Sequence, residues 1–177
     1  ADGARGRGRG TFGLPCTVSG GASRSVTTNK SATSQRLREA GRLGAGHRMA
    51  ATLEWQADAE SFYRALETQF PYPFIAKPAD DGCSSAVKKI KNRAELEAFS
   101  QLIFRTDEDL MPAPAGVLNL GFKEEFPRTE AFLVETLISR DGAAPFLEIT
   151  GGLPTSCTED ALLAIDVFGA PADRAPA

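Results

Sequence analysis

Apolar residues recur at helical spacing in two stretches of the chain. In ADAESFYRALETQF, Phe62, Leu66 and Phe70 fall on one face, and Pro71 and Pro73 close the segment. In RAELEAFSQLIFR, Leu96, Phe99 and Ile103 do the same behind Asn92, a residue suited to capping a helix start. A third helix is expected over NKSATSQRLREAG, capped by Thr27 or Thr28 and stopped at Gly41. Its apolar face is thin, so it is expected to lie on the surface. Short apolar runs mark the strands: a weak one at His47–Leu53, then Phe74-Ile75-Ala76, Ala86–Ile90, Ala131–Ile138, Phe146–Thr150 and a weak one at Leu162–Phe168. Residues 14–27 read as a loop, and residues 106–129 show no clear period. Strands and helices alternate over short crossings, and the strands are suited to antiparallel pairing. The fold class is therefore α+β or an α/β sandwich.

Composition narrows the picture. The 177 residues are 42 % apolar and 24 % charged, close to the globular average, which excludes disorder throughout. No run approaches the ~20 apolar residues of a membrane span. The start has charge but no apolar secretory core. Three widely spaced cysteines (Cys16, Cys83, Cys157) do not make a disulfide framework and suit a reducing, cytoplasmic setting. One histidine, His47, excludes a His-rich metal site. Charge is uneven: nine basic against two acidic side chains give +7 over residues 1–50, and eleven against twenty-one give −10 over the rest. Residues 1–13 alternate Gly and Arg and read as coil. Arg5, Arg7 and Arg9 admit non-specific RNA binding, but the tract is short and no aromatic residue interrupts it.

Three features line up as candidate chemistry. Lys77 stands at the exit of an apolar strand. The loop Asp80-Asp81-Gly82-Cys83-Ser84-Ser85 follows it. Glu135 sits inside the most apolar strand. A nucleotide needs a fixed cation and exposed backbone N–H groups for its phosphates, an apolar slot with a polar edge for its base, and a carboxylate for its ribose. Lys77, the Gly82–Ser85 loop and the Glu135/Glu148 pair supply these parts. GxxxxGK[ST] does not occur. Each feature also has a plain reading: a solvated charge, a turn, and a strand glutamate on an exposed face. A carboxylate buried without a partner would be costly, so Glu135 carries the most information.

These residues resemble the D-alanine–D-alanine ligase family of the ATP-grasp superfamily, in order and along nearly the whole chain. The family segment EDGxxQxxLExxGxPYTGSG is matched by Asp2-Gly3, Gly13-Leu14-Pro15, Thr17 and Ser19. Gly6 and Arg9 stand where the family has Gln and Leu, Cys16 where it has Tyr, and Val18 where it has Gly. Thr28-Asn29-Lys30 falls at the family's Met-Asp-Lys. The loop after Lys77-Pro78 is similar to its Gly-Ser-Ser phosphate lid, and Phe132-Leu133-Val134-Glu135 to its hinge strand. The resemblance implies an ATP-grasp-like antiparallel or mixed sheet with flanking helices, incomplete. It implies that ATP activates the carboxylate of one D-alanine as an acyl phosphate for attack by the amine of a second. Lys30 and Lys77 would contact phosphates, and Gly82, Cys83, Ser84 and Ser85 would form the lid. Glu135 with the backbone from Thr136 to Ile138 would hold adenine, and Glu148 the ribose. The family's magnesium ligands, an Asp, a Glu and an Asn, have no counterpart after Gly152, where Glu159-Asp160 reads as a solvated turn; Mg²⁺ is expected to be held by residues outside this chain.

The expected organisation is a Gly/Arg-rich remnant at 1–13, a linker with the Lys30 helix at 14–55, the lid and central subdomain at 56–152, and the start of a C-terminal subdomain at 153–177. The chain reads as a piece of a cytoplasmic, commonly dimeric ligase with a small-molecule substrate and no membrane or nucleic-acid partner. The alternative is a non-catalytic ATP-binding remnant.

Overall fold

Alternation of buried and half-buried positions along two strands organises the first part of the fold. The computed structural model describes residues 21–42, 44–81, 84–121, 124–138, 147–151 and 165–169. Strand β1 covers His47–Ala51, β2 Phe74–Pro78, β3 Lys88–Ile90 and β4 Ala131–Thr136. They form one antiparallel sheet in the order β1-β4-β2-β3. On one face Ala50, Phe74, Ala76, Phe132 and Val134 are fully buried. Because successive side chains alternate, Ile75, Lys77 and Glu135 point to the other face.

Helices cover the apolar face. Helices α1 (Gly21–Thr28), α2 (Lys30–Glu39), α3 (Thr52–Ala57), α4 (Ala59–Gln69), α5 (Arg93–Ile103) and α6 (Pro112–Val117) are described. Helix α4 buries Phe62, Tyr63 and Leu66, and α5 buries Leu96, Phe99, Leu102 and Ile103, so both amphipathic expectations hold. The rings of Phe62, Phe99 and Phe104 meet Phe132 with centroids 5.0–6.3 Å apart. Arg93 ties the two helices together: it pairs with Glu60, with Glu67 at 2.7 Å and with Glu97 at 2.9 Å, and lies 4.4 Å over the Tyr63 ring.

Several local expectations change. Residues 21–28 are helical rather than loop, so Thr27 and Thr28 end α1 and Asn29 caps α2, its side chain accepting the Ala32 N–H at 2.9 Å. β1 stops at Ala51, and Leu53 is exposed on α3. β3 is only three residues long, because Ser84 and Ala86 adopt φ of 58° and 49° and turn the chain before it. Within the aperiodic 106–129 stretch, Pro112 starts the short helix α6. The chain divides into two units, residues 1–137 and 138–177. In the second, β5 (Leu147–Gly151) pairs antiparallel with β6 (Ile165–Gly169). The α+β class with an antiparallel sheet and flanking helices is the one observed.

Asn92 caps α5 by accepting the Glu95 N–H at 3.0 Å, while the Glu95 carboxylate reaches back to the Lys91 N–H at 2.9 Å. Asn92→Ala is expected to cost about 1 kcal/mol, read as a lower urea midpoint at unchanged slope.

Candidate functional site

The register of β2 on β4 decides the site. Lys77 lies opposite Leu133, and Ile75 opposite Glu135. Lys77 and Glu135 are thus diagonal neighbours on one face, within reach of long side chains. They meet: Lys77 Nζ stands 2.5 Å from Glu135 Oε2, and only 20 % and 16 % of the two side chains is exposed. Leu133, fully buried between Met49 and Lys77, floors this face, and His47 lies opposite Glu135.

Helix α2 brings a second cation to the pair. The backbone N–H of Lys30 donates to the Ala79 carbonyl at 2.8 Å, just past the end of β2. Its ammonium donates to the Asp81 carbonyl at 2.5 Å. At its other end α2 is fastened to β1, where an Arg38 guanidinium nitrogen lies 2.5 Å from His47 Nδ1. Burial, and then the charge of Lys77, hold the Lys30 ammonium below its ordinary range, against the opposite pull of Asp81, Asp80 and Glu135. Lys30 also occupies the first position of a helix, where the peptide dipoles disfavour a cation. Two lysines and a helix start therefore converge near Glu135, with Asp80 and Asp81 also facing Lys30 electrostatically. The arrangement suits a multiply charged anion.

The loop after β2 is described in part. Gly82 and Cys83 lie outside the described residues. Ser84 is exposed in the left-handed region, and Ser85 Oγ donates to the Glu125 carbonyl at 3.3 Å. Ala86, also left-handed, is fully buried and anchors the loop exit. Two non-glycine residues in that region cost of order 1–2 kcal/mol each, and such backbone clusters at functional sites.

The hinge residues are distributed differently. The Thr136 N–H donates to the Gly46 carbonyl at 2.9 Å and is occupied in the sheet. A Cβ at Gly46 would lie 3.0 Å from the Thr136 hydroxyl, so a side chain there would have to push that hydroxyl aside. Ile138 is exposed. Glu148 lies on β5 opposite Phe168, in the second unit. Among the described residues, no group of three or more His, Cys, Asp or Glu could hold a metal ion. Nor is any described helix long and apolar enough to cross a membrane. The Asn29 cap and the Arg38–His47 contact escaped the sequence reading; the Asn at the start of NKSATSQRLREAG was the available signal for the cap.

Known proteins match parts of this chain in sequence and in fold. Residues 43–112 match the family described as D-ala D-ala ligase C-terminus, a range that includes Lys77 and the Gly82–Ser85 loop but not Lys30, Glu135 or Glu148. The D-alanine–D-alanine ligase of Deinococcus radiodurans is 34 % identical over 95 residues, covering 54 % of this chain and 28 % of that protein. The ligase of Natranaerobius thermophilus is 33 % identical over 84 residues, covering 48 % and 23 %. The chain thus spans about a quarter of the length of these relatives, and the sequence match covers about half of it, less than the near-complete resemblance suggested. In fold, the crystal structure of D-alanine–D-alanine ligase from Helicobacter pylori matches 99 % of this chain and 44 % of its own, at TM-score 0.54 and 15 % identity. Over residues 43–112, then, the chain is similar to the C-terminal domain of D-alanine–D-alanine ligases, and its fold is similar to that of one such ligase.

Proposed function

We propose that this chain is an ATP-binding segment of a carboxylate–amine ligase, with Lys30 and Lys77 taking the phosphates and Glu135 the adenine edge. The observation that carries this reading is the half-buried Lys77–Glu135 pair with Lys30 beside it. A triphosphate competes with Glu135 for Lys77 and adds to the negative charge that Asp81, Asp80 and Glu135 already present to Lys30. Glu135, released from Lys77, can then accept a hydrogen bond from an exocyclic amine. With the Thr136 N–H held by Gly46, backbone recognition of a base falls to the residues beyond it. The Gly82–Ser85 loop would cover the phosphates and exclude water.

In the full reaction, ATP would phosphorylate the carboxylate of one D-alanine, and the amine of a second would displace phosphate. Charge neutralisation at the transferred phosphoryl group supplies much of the rate in such transfers. The described residues do not fit a magnesium site, so no step is assigned to that ion in this chain.

The test is a thermal melt with ATP. Binding at 100 times Kd is expected to stabilise the chain by about 2.7 kcal/mol. The same melts across pH add a sign. Lys30 titrates below the ordinary lysine range, and a triphosphate prefers it charged, so binding raises its pKa and takes up protons. ATP affinity should hold at neutral pH and fall as pH rises through the lowered Lys30 pKa toward 10.5. Lys30→Gln should remove that alkaline loss. No ATP-dependent stabilisation at millimolar nucleotide would end the proposal. ADP release on adding D-alanine separates a working ligase from a binding remnant.

A further inference from the structure

A second polar site lies away from Lys77, on the side of the sheet that carries the helices. An open groove of about 350 Å³ runs between Thr52, after β1, and Thr129 and Glu130, before β4. Arg105 and Arg128 both line it. Arg105 is held rigidly by backbone: Nη1 donates to the Leu102 carbonyl at 2.6 Å, and Nη2 to those of Phe126 at 2.9 Å and Glu108 at 3.3 Å. Its Nε is buried and has no hydrogen-bond partner, the one such side-chain atom among the described residues. No described carboxylate comes within 4 Å of the Arg105 guanidinium. Arg128 donates to the Thr106 carbonyl, and its carboxylate neighbour, Glu108, stands 3.7 Å away with 91 % of its side chain exposed. Burial, and then the charge of Arg128, push the Arg105 guanidinium down from its ordinary range.

A buried donor without an acceptor costs about 1–3 kcal/mol, and native proteins leave few of them. Two guanidiniums sharing one groove add mutual repulsion. Glu130, the one acid lining the groove, is exposed, and the Glu108 carboxylate beside Arg128 lies outside that lining. The hydroxyls of Thr52, Thr106 and Thr129 and the amide of Gln56 supply further neutral hydrogen-bonding groups, and Phe104 an apolar wall. Arginine is the side chain best matched to the planar edge of an oxyanion. We propose that this groove binds a phosphate group through Arg105 and Arg128, independently of the nucleotide site.

The test is a titration of the full chain with inorganic phosphate at constant ionic strength, following the nitrogen-edited NMR signal of the Arg105 Nε–H. A saturable shift in the millimolar range is expected. Arg128→Gln should weaken it about tenfold, the scale of one charge-assisted contact. Arg128→Lys should retain most of it, and Lys77→Ala should leave it unchanged. Glycerol phosphate in place of inorganic phosphate tells the sources apart: an equal or tighter shift assigns the groove to an organic phosphate, a weaker one to the free ion. The proposal is overturned if phosphate gives no saturable shift, if chloride reproduces the shift, or if Arg128→Gln leaves it intact.

Discussion

Phe132→Ala is expected to remove about 3–5 kcal/mol of folding stability, the usual cost of deleting a buried ring. Phe132 sits near the start of β4, is fully buried, and contacts Phe99 at 5.0 Å, Phe104 at 5.4 Å and Phe62 at 6.3 Å between ring centroids. Three elements lose a shared partner at once: α4 through Phe62, α5 through Phe99, and the sheet itself. The neighbouring side chains are themselves large and interlocked, so the void collapses poorly. Domains of this kind hold only about 5–15 kcal/mol in total, so the variant should be partly unfolded at ambient temperature. Urea denaturation followed by Trp55 fluorescence checks this, with Leu53→Ala as the control. Leu53 is 78 % exposed on α3, and its truncation should stay within about 0.5 kcal/mol. A Phe132→Ala loss no greater than that of the control would mean that the ring cluster does not organise the core.

How much of this was legible beforehand depends on distance along the chain. Helices α4 and α5 were visible because Phe62 and Leu66, or Leu96 and Phe99, repeat within one or two turns. β4 was visible because six consecutive residues share one environment pattern. Helix α1 was hidden because GASRSVTT has turn-forming composition, and α3 because Thr52 and Leu53 continue an apolar run that the backbone breaks at Ala51. Among the site residues, Lys77 and Glu135 stood out separately, by charge within apolar strands. That they touch depends on β2 pairing with β4, 58 residues on, and no local pattern encodes that register. The Lys30–Asp81 contact spans 51 residues and was equally invisible. Arg105 closes the segment RAELEAFSQLIFR and Arg128 falls in the aperiodic stretch after it, and only the folded backbone reveals the orphaned donor on Arg105.

The Lys77–Glu135 pair offers the sharpest separation of structure from function. Lys77→Met alone should destabilise the fold by about 2–3 kcal/mol. That lies between the about 0–1 kcal/mol of an exposed pair and the about 3–5 kcal/mol of breaking a fully buried one. The residual exposure of the pair and the nearby Lys30 charge soften the loss. Glu135→Gln should cost a similar amount for the opposite reason, since it leaves two lysines facing each other without their carboxylate. Replacing both, as Lys77→Met with Glu135→Leu, removes both uncompensated charges and should return stability to within about 1 kcal/mol of the parent, because well-packed apolar residues often match a buried pair. ATP affinity should not follow. Lys77→Met loses a charge-assisted contact of about 1.5–3 kcal/mol, or about 10- to 100-fold in Kd, and the double variant should remain at least as weak. Paired urea melts and ATP titrations on the four proteins decide the matter. If ATP binding recovers along with stability, Lys77 only holds β2 to β4, and the phosphates are bound elsewhere.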